Sequence, residues 1–523
     1  MISAIVHIAR LTRAGYVFAR EGVFGIVDPA PFPPAAQLAL RLGRMIERPR
    51  SDVFLGRVAA ALQRLGPSYV KLGQFLATRP DVVGMAMARE LESLQDRLPP
   101  FPQAEAEASV AAAFERPLQQ TYASFGPAVA AASIAQVHRA EVIANGERRV
   151  VAVKVLRPNV FHNFKVDLDA FAYAARHMEA IAPDARRLRL TEIVATLVRS
   201  VAMEMDLRLE AAALSEMAEN TAGDPDFRVP GVDWDRTSHS VLTMEWIDGV
   251  ALNDRAKLEA ARIDFVDLSR KIIQSFLRHS LRDGFFHADM HPGNLFVDRT
   301  GRLVAVDFGI MGRLGAKERR FLAEILFGFI RRDYHRVAEV HFEAGYVPRH
   351  HSVDNFAQAI RAIGEPIHNR TAQEISMARL LTLLFEVTAL FDMQTRPELL
   401  LLQKTMVVVE GVARSFDPRL DIWSTAEPVV REWIERNLGP AGRIEGAVTG
   451  VGELAKIMAG LPTIAGRAVE LLDQMDAITR DGLRLSPDTI EAVGRAEGRQ
   501  SRWLTAGIWM IAVALFLAVW VLR

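Results

Sequence analysis

The sequence predicts an α+β fold in two lobes, a small β-rich lobe ahead of a larger helical one, extended at its N-terminus by helices and at its C-terminus by a transmembrane helix. Three observations carry this reading. Short runs rich in β-branched residues gather between about residues 118 and 156; helical apolar spacing precedes them and dominates again from 262 onward; and one 20-residue stretch, Trp503–Leu522, carries no charge.

Residues 1–50 are an amphipathic N-terminal segment. MISAIVHIARLTRAGYVFAR interrupts its apolar residues with Arg10, Arg13 and Arg20, so it lacks the continuous apolar core of a signal peptide. It reads as a helix lying on a membrane or on the protein itself. Residues 51–102 are a helical extension, broken at Gly66-Pro67 and Arg79-Pro80 and closed by Leu98-Pro-Pro-Phe-Pro102. Residues 103–250 form the small lobe, in which LQQTYASF, IAQVHRAEVI and RRVVAVKVL read as strands of an antiparallel sheet. The last two are joined through Asn145-Gly146, a pair that favours a tight hairpin. Two long helices, roughly 160–184 and 190–219, are inserted before two further strand candidates, FRVPGVDW and SHSVLTMEWI. Residues 251–420 form the larger lobe, helical except for a hairpin around Arg299-Thr-Gly301 in 294–306. Residues 421–502 carry amphipathic helices.

At about 1.5 Å per residue, Trp503–Leu522 spans roughly the 30 Å hydrocarbon layer. Its Trp residues sit near both ends, and Arg495, Arg499 and Arg502 ahead of it set the rest of the chain on the cytoplasmic side. A single span is compatible with a homodimer joined through that helix. The N-terminus is not a Ser-rich, acid-free transit peptide, which points to a bacterial inner membrane rather than a mitochondrion.

Composition excludes several classes. Lys+Arg and Asp+Glu both total 63, so no global basic field draws the chain to nucleic acid. The absence of Cys removes disulfides, thiolate catalysis and Cys-ligated metal centres, and fits a reducing compartment.

The chemistry lies in FFHADMHPGNLF, residues 285–296. Asp289 is followed five residues later by Asn294, and thirteen residues after that by Asp307-Phe308-Gly309. Those intervals are those of a kinase catalytic loop and DFG turn. In that arrangement Asp289 orients or accepts from the attacking hydroxyl, while Asn294 and Asp307 hold Mg²⁺ on the phosphates of ATP or ADP. His287 is then a packing and hydrogen-bonding residue, and Pro292-Gly293 turns the chain. Lys154, alternating out of the apolar run VAVK on the third strand, is the cation for the phosphates. Its acidic partner comes from MEMDLRLE, residues 203–210, where spacing leaves Glu204, Asp206 and Glu210 all open. Met244-Glu245-Trp246 follows an apolar strand where the connection between lobes would meet the adenine.

The whole set resembles the UbiB/ADCK family of atypical protein-kinase-like proteins over roughly residues 50–420. The most specific match is Lys71-Leu-Gly-Gln74, which resembles the family's N-terminal KxGQ signature and has no counterpart in ordinary kinases. AAASIAQVHRA, residues 130–140, resembles its alanine-rich nucleotide loop, which implies nucleotide contacts from Ala131, Ala132 and Ser133; Glu204-Met-Asp206 resembles its ExD motif. The resemblance implies a bilobal protein-kinase-like fold with KxGQ helices over the cleft, Lys71 near Glu204 and Asp206, and Glu210 left as a candidate partner of Lys154. It also implies a membrane-anchored kinase or ATPase that uses Mg-ATP to support ubiquinone biosynthesis. Membrane lipids, polyprenyl-phenol quinone precursors and other enzymes of that pathway are the implied partners.

Departures from ordinary kinases qualify the activity. The loop Phe125–Gln136 has one Gly, so most of its backbone cannot adopt positive φ, and Ser133 is either a phosphate donor or a buried turn hydroxyl. Position 288 is Ala, leaving no cation beside Asp289 to read a phosphorylated activation loop. After Asp307-Phe-Gly the chain runs directly into a helix with no APE, so protein phosphorylation is not expected. Bacterial members have also carried the label of a 2-polyprenylphenol hydroxylase. Neither a flavin fingerprint nor a diiron ligand spacing occurs here to support it. Two alternatives stand beside the leading one: a small-molecule phosphotransferase of the aminoglycoside or choline type, and a membrane-tethered scaffold that binds nucleotide without turnover.

Overall fold

The computed structural model describes residues 2–25, 34–48, 56–77, 83–92, 94, 99–144, 146–181, 189–366, 387, 390–393 and 397–439. The expected membrane span at 503–522, nearly all of the expected helical region 421–502 beyond residue 439, and Asn145 of the expected hairpin lie outside them. Among the described residues no helix is long and apolar enough to cross a membrane. The chain divides into two compact units: residues 1–66, 169–177 and 437–523, and residues 67–168 and 178–436.

In the first unit, α1 (Ile2–Arg20), α2 (Pro34–Met45) and α3 (Arg57–Leu65) pack together. The expected N-terminal helix therefore lies on the protein, with Ala14 and Ala19 buried. The buried Glu21 carboxylate pairs with Arg64 at 3.1 Å, as a charge removed from water requires.

The second unit begins with α4 (Pro67–Ala77), α5 (Met85–Glu92), α6 (Gln103–Phe114) and α7 (Leu118–Thr121). A four-stranded sheet follows in the order β1 (Ser124–Ala131), β2 (Ala135–Ala144), β3 (Glu147–Leu156) and β5 (Val241–Glu245), all neighbours antiparallel. Val151, Val153 and Val155 alternate onto one face, where with Tyr122, Ala140, Val142 and Val241 they bury Val110 of α6. The opposite face receives Lys154, because successive strand residues point to opposite sides. Gly146 closes the β2–β3 turn at φ +81°, a value that glycine adopts without strain.

Two expectations for this region change. LQQTYASF is not a strand: Pro117 starts the short helix α7, its fixed φ being preset for a helix entrance, and the strand begins only at Ser124. The stretch expected as a phosphate-covering loop is largely strand β1. Pro127, which has no N–H to give, sits in a register shift between Phe125 and Ala128 on this edge strand.

Next come α8 (Val160–Ile181), α9 (Leu190–Glu204) and α10 (Leu207–Thr221). The single helix expected over 190–219 is broken by Asp206, whose side chain accepts from the Arg208 N–H and caps α10. A second sheet runs β4 (Phe227–Arg228), β9 (Leu303–Ala305), β8 (Leu295–Asp298), β6 (Gly249–Ala251), and β7 (Phe285–His287) pairs with β10 (Met311–Arg313). Of FRVPGVDW only Phe227-Arg228 is strand, since Pro230 follows, and it joins the second sheet in parallel with β9. The hairpin around Gly301 forms as β8 and β9. Helices α11 (Arg255–Ala260), α12 (Phe265–Arg278), α13 (Ala316–Arg331), α14 (Tyr334–Glu343), α15 (Val353–Gly364), α16 (Pro397–Phe416) and α17 (Ile422–Leu438) complete the unit.

Candidate functional site

The loop expected to be catalytic spans the gap between β7 and β8, and its internal bonds follow from its residue types. The buried His287 accepts the Asp289 N–H at Nδ1 (3.1 Å), so its proton sits on Nε2, facing the Val306 carbonyl at 3.2 Å. Burial keeps this imidazole neutral by pushing its pKa below the usual range. His287 also packs edge-on against Phe308, with centroids 4.9 Å apart. One side chain thus ties the loop to the chain entering the Asp307 turn.

Asn294 donates its amide nitrogen to the Asp289 carbonyl (3.1 Å) and carboxylate (3.2 Å). Its backbone carbonyl accepts from Val306 N at 2.9 Å. The amide oxygen is then the group Asn294 has left to offer a cation. His291 repeats the bonding of His287: Gly293 N–H donates to Nδ1 at 2.9 Å, so Nε2 carries the N–H, 3.7 Å from an Asp289 carboxylate oxygen. A Cβ on residue 293 would stand 2.8 Å from the His291 ring and displace it from the Gly293 N–H. Sequence reasoning assigned His291 no role; its position two residues after Asp289 was the signal available.

Lys154, Glu210 and Asp307 converge from β3, α10 and the end of β9. Lys154 Nζ donates to both Glu210 carboxylate oxygens at 2.8 and 2.9 Å and to Asp307 Oδ1 at 3.0 Å. Glu210 Oε1 also accepts the Phe308 N–H at 3.2 Å. Burial opposes every charge here, but two carboxylates overcome it for Lys154 and hold its pKa well above the usual lysine range. Burial likewise raises Asp307, yet the ammonium more than offsets it and the carboxyl is held down at about 2. For Glu210 burial wins, and its pKa is raised. Two carboxylates sharing one ammonium leave a negative balance that a divalent cation would neutralise.

Asp307 lies in the left-handed region at φ +62°, uncommon outside glycine, and its side chain is 45 % exposed. An open carboxylate, with the Asn294 amide oxygen on the adjoining segment, is a hard-oxygen donor pair suited to Mg²⁺. These two would hold the metal and Lys154 the phosphates.

The acidic residues of 203–210 are sorted by the helix break at Asp206. Glu204, last in α9, pairs with Lys71 of α4 at 2.5 Å. Asp206 takes Arg208 bidentately at 2.9 and 2.7 Å, and Glu210, one turn into α10, takes Lys154. Gln74 donates to the Leu94 carbonyl at 3.4 Å, tying α4 to the end of α5.

The alanine-rich loop is built for rigidity. Ala131 ends β1, Ala132 N donates to the Ala135 carbonyl at 2.8 Å, and Arg157 donates to the Ala132 carbonyl at 2.9 Å. Ser133 is fully buried and, among the described residues, its hydroxyl has no hydrogen-bond partner. Of the two expectations for it, the buried turn hydroxyl is what the structure contains. Gln136 and His138, unnoticed in sequence, brace the loop: Gln136 accepts from Phe101 N (2.9 Å) and contacts His138 Nε2 (2.9 Å), while His138 Nδ1 faces the Gly126 carbonyl (2.8 Å).

Glu245, expected beside the adenine, ends β5. Its carboxylate accepts two 3.0 Å bonds from Arg228 and its N–H donates to the Gly231 carbonyl at 2.8 Å.

Comparison with known proteins identifies the family of the chain. A family model described as the ABC1 atypical kinase-like domain matches residues 93–341, and one described as the UbiB helical domain matches residues 360–421. The chain is 38 % identical over 445 residues to the probable protein kinase UbiB of Marinobacter nauticus, covering 84 % of this chain and 81 % of that protein. It is 39 % identical over 447 residues to the probable protein kinase UbiB of Xanthomonas axonopodis pv. citri, covering 83 % and 80 %. Among solved structures, Rv3197 of Mycobacterium tuberculosis, in complex with erythromycin, is similar with a TM-score of 0.50 and 24 % identity over 69 % of this chain and 90 % of that one. That likeness concerns the fold.

Proposed function

This chain belongs to the UbiB family of ABC1 atypical kinase-like proteins, and from that premise we propose that it is a membrane-anchored kinase or ATPase that uses Mg-ATP to support ubiquinone biosynthesis. The observation that carries the proposal is Lys154 shared between Glu210 and Asp307, with Asp289 and Asn294 bonded to each other in the adjoining loop. ATP would supply the phosphoryl group and Mg²⁺ the neutralisation of its charge. Lys154 would move from the carboxylates toward the phosphates while Glu210 retains its hold on the ammonium. Asn294 and Asp307 would keep the metal, and Asp289 would orient the attacking hydroxyl or water and take its proton. The Nε2–H of His291, 3.7 Å from that carboxylate, would have to close by a few tenths of an ångström to donate to it and restrict its rotation.

A polyprenyl-phenol intermediate, rather than a protein, is the substrate this reading favours, although the relatives are named probable protein kinases. After Gly309 only residues 310–315 precede α13, and three of them are the strand β10 paired with β7. That leaves no length for the activation segment on which protein kinases dock peptides. The uncharged segment 503–522 would anchor the protein in a bacterial inner membrane, lobes on the cytoplasmic side, near its lipid substrates and the other enzymes of the pathway.

The test is ATP hydrolysis by the full chain in liposomes, with and without a phenolic quinone precursor, beside Asp307→Asn. Mg²⁺-dependent turnover that rises with the phenol and vanishes in the variant supports the proposal. Nucleotide binding without turnover under every condition reduces the protein to a scaffold.

A further inference from the structure

A second cluster of ligand-type side chains lies outside the kinase-like site, on the helical part of the second unit. His350 and His351 occupy the connection between α14 and α15, and Asp392 follows Phe391, which is buried with Tyr334, Val347, Phe356 and Ile360. His351 Nε2 is 3.2 Å from Asp392 Oδ2, and His350 Nε2 is 3.8 Å from that same oxygen. One ligand atom from each of the three residues lies within 4.8 Å of the others.

We propose that His350, His351 and Asp392 bind a divalent transition metal, zinc foremost, that clamps the α14–α15 connection to the segment ending at Asp392. Imidazole nitrogens and a carboxylate oxygen form a zinc ligand set, and bonds of about 2.0–2.1 Å at tetrahedral angles place ligand atoms roughly 3.3–3.4 Å apart. The two His–Asp392 separations of 3.2 and 3.8 Å bracket that edge, and all three ligand atoms lie within 4.8 Å of one another, so metal entry draws the two imidazoles and the carboxylate together by side-chain rotation. The cluster is open to water, with the His350 and Asp392 side chains 68 % and 67 % exposed. A single carboxylate oxygen serves His351, while His350 at 3.8 Å is too far for a hydrogen bond.

The ligands are carried by pinned backbone. The two imidazoles lie side by side with centroids 4.1 Å apart, and the His351 ring packs 5.3 Å from the buried Phe391. Val347, three residues before the pair, is 1 % exposed. Asp392 is held in the left-handed region at φ +49°, a conformation a non-glycine residue adopts at some cost. Three protein ligands leave a coordination position for water, and the metal would close a loop of 41 residues, the separation of His351 and Asp392.

The tag-free full chain, stripped with a chelator, is titrated with Zn²⁺ against a chromophoric competitor and separately with Co²⁺, whose visible absorption reports its coordination. The expected result is one tight equivalent, a four-coordinate cobalt spectrum, and a melting temperature that rises with zinc. His351→Ala and Asp392→Asn should each weaken binding roughly tenfold or more, as loss of a ligand does. Asn tolerates the left-handed backbone of residue 392, and equal melting of the stripped proteins verifies that the variants fold. The proposal is overturned if the wild type takes up no equivalent tighter than about 100 µM, or if both variants bind as the wild type does.

Discussion

Replacing Glu210 by Gln tests how one ammonium is divided between two carboxylates. In the native arrangement Lys154 gives Glu210 two bonds of 2.8 and 2.9 Å and Asp307 one of 3.0 Å. Glu210 is buried and Asp307 half open, so Glu210 is the stronger hold. Gln retains an acceptor for Phe308 N–H but removes the charge, and Lys154 transfers its weight to Asp307. A hydrogen bond to a charged group contributes about 1.5–3 kcal/mol, and Mg²⁺ must displace whatever part of that Asp307 gains. With each tenfold in affinity equal to about 1.4 kcal/mol, the half-saturating free Mg²⁺ concentration should rise roughly 10- to 100-fold. The assay is hydrolysis, or fluorescent-nucleotide binding if turnover is slow, measured against free Mg²⁺ at fixed nucleotide. A uniform loss of activity with unchanged Mg²⁺ dependence would refute the reasoning and leave Glu210 as a structural residue.

Three further outcomes are expected. Burial tends to raise Asp298, but bonds from Thr300, Arg228 and Arg302 hold its pKa at about 2, below the unfolded value near 3.9. Asp298→Asn should therefore cost about 2 kcal/mol at pH 7, a difference present above pH ~4 and lost as pH falls toward ~2, read by denaturant unfolding across that range. His291→Asn keeps an acceptor for Gly293 N–H but cannot reach Asp289, so nucleotide binding should persist while turnover falls roughly 10-fold or more, with His291→Gln recovering part of it; full activity in the Asn variant would remove His291 from the mechanism. Gly312→Ala would drive its Cβ into the fully buried Phe286 ring at the β7–β10 pairing, and thermal unfolding should register a loss of about 1–3 kcal/mol.

Elements within one loop or one strand were legible without the fold. Asp289 and Asn294 are bonded across a separation of five residues, so their spacing alone encodes their geometry, whereas His291, which accepts the Gly293 N–H between them, was given no role. Lys154 was readable because strand alternation takes it off the face that Val153 and Val155 bury. The strands β6, β7 and β10 were not, since three residues are too few to display a period. Glu245 shows the complementary failure: its position after an apolar strand was visible, but its partner, Arg228, lies 17 residues away on a different sheet.

By itself, then, the sequence determined that a β-rich segment precedes a helical one, the spacing of Asp289, Asn294 and Asp307, and the presence of three acids in MEMDLRLE. Only the tertiary structure decided that Glu204 meets Lys71 and that Glu210 meets Lys154 across 56 residues. It decided also that Asp392 stands opposite His350 and His351. The physical reason for the two lysine pairs is the same. Local geometry follows from bonds the chain makes with its near neighbours, whereas a charge buried far along the chain selects its partner only after packing has removed the water that would otherwise satisfy it.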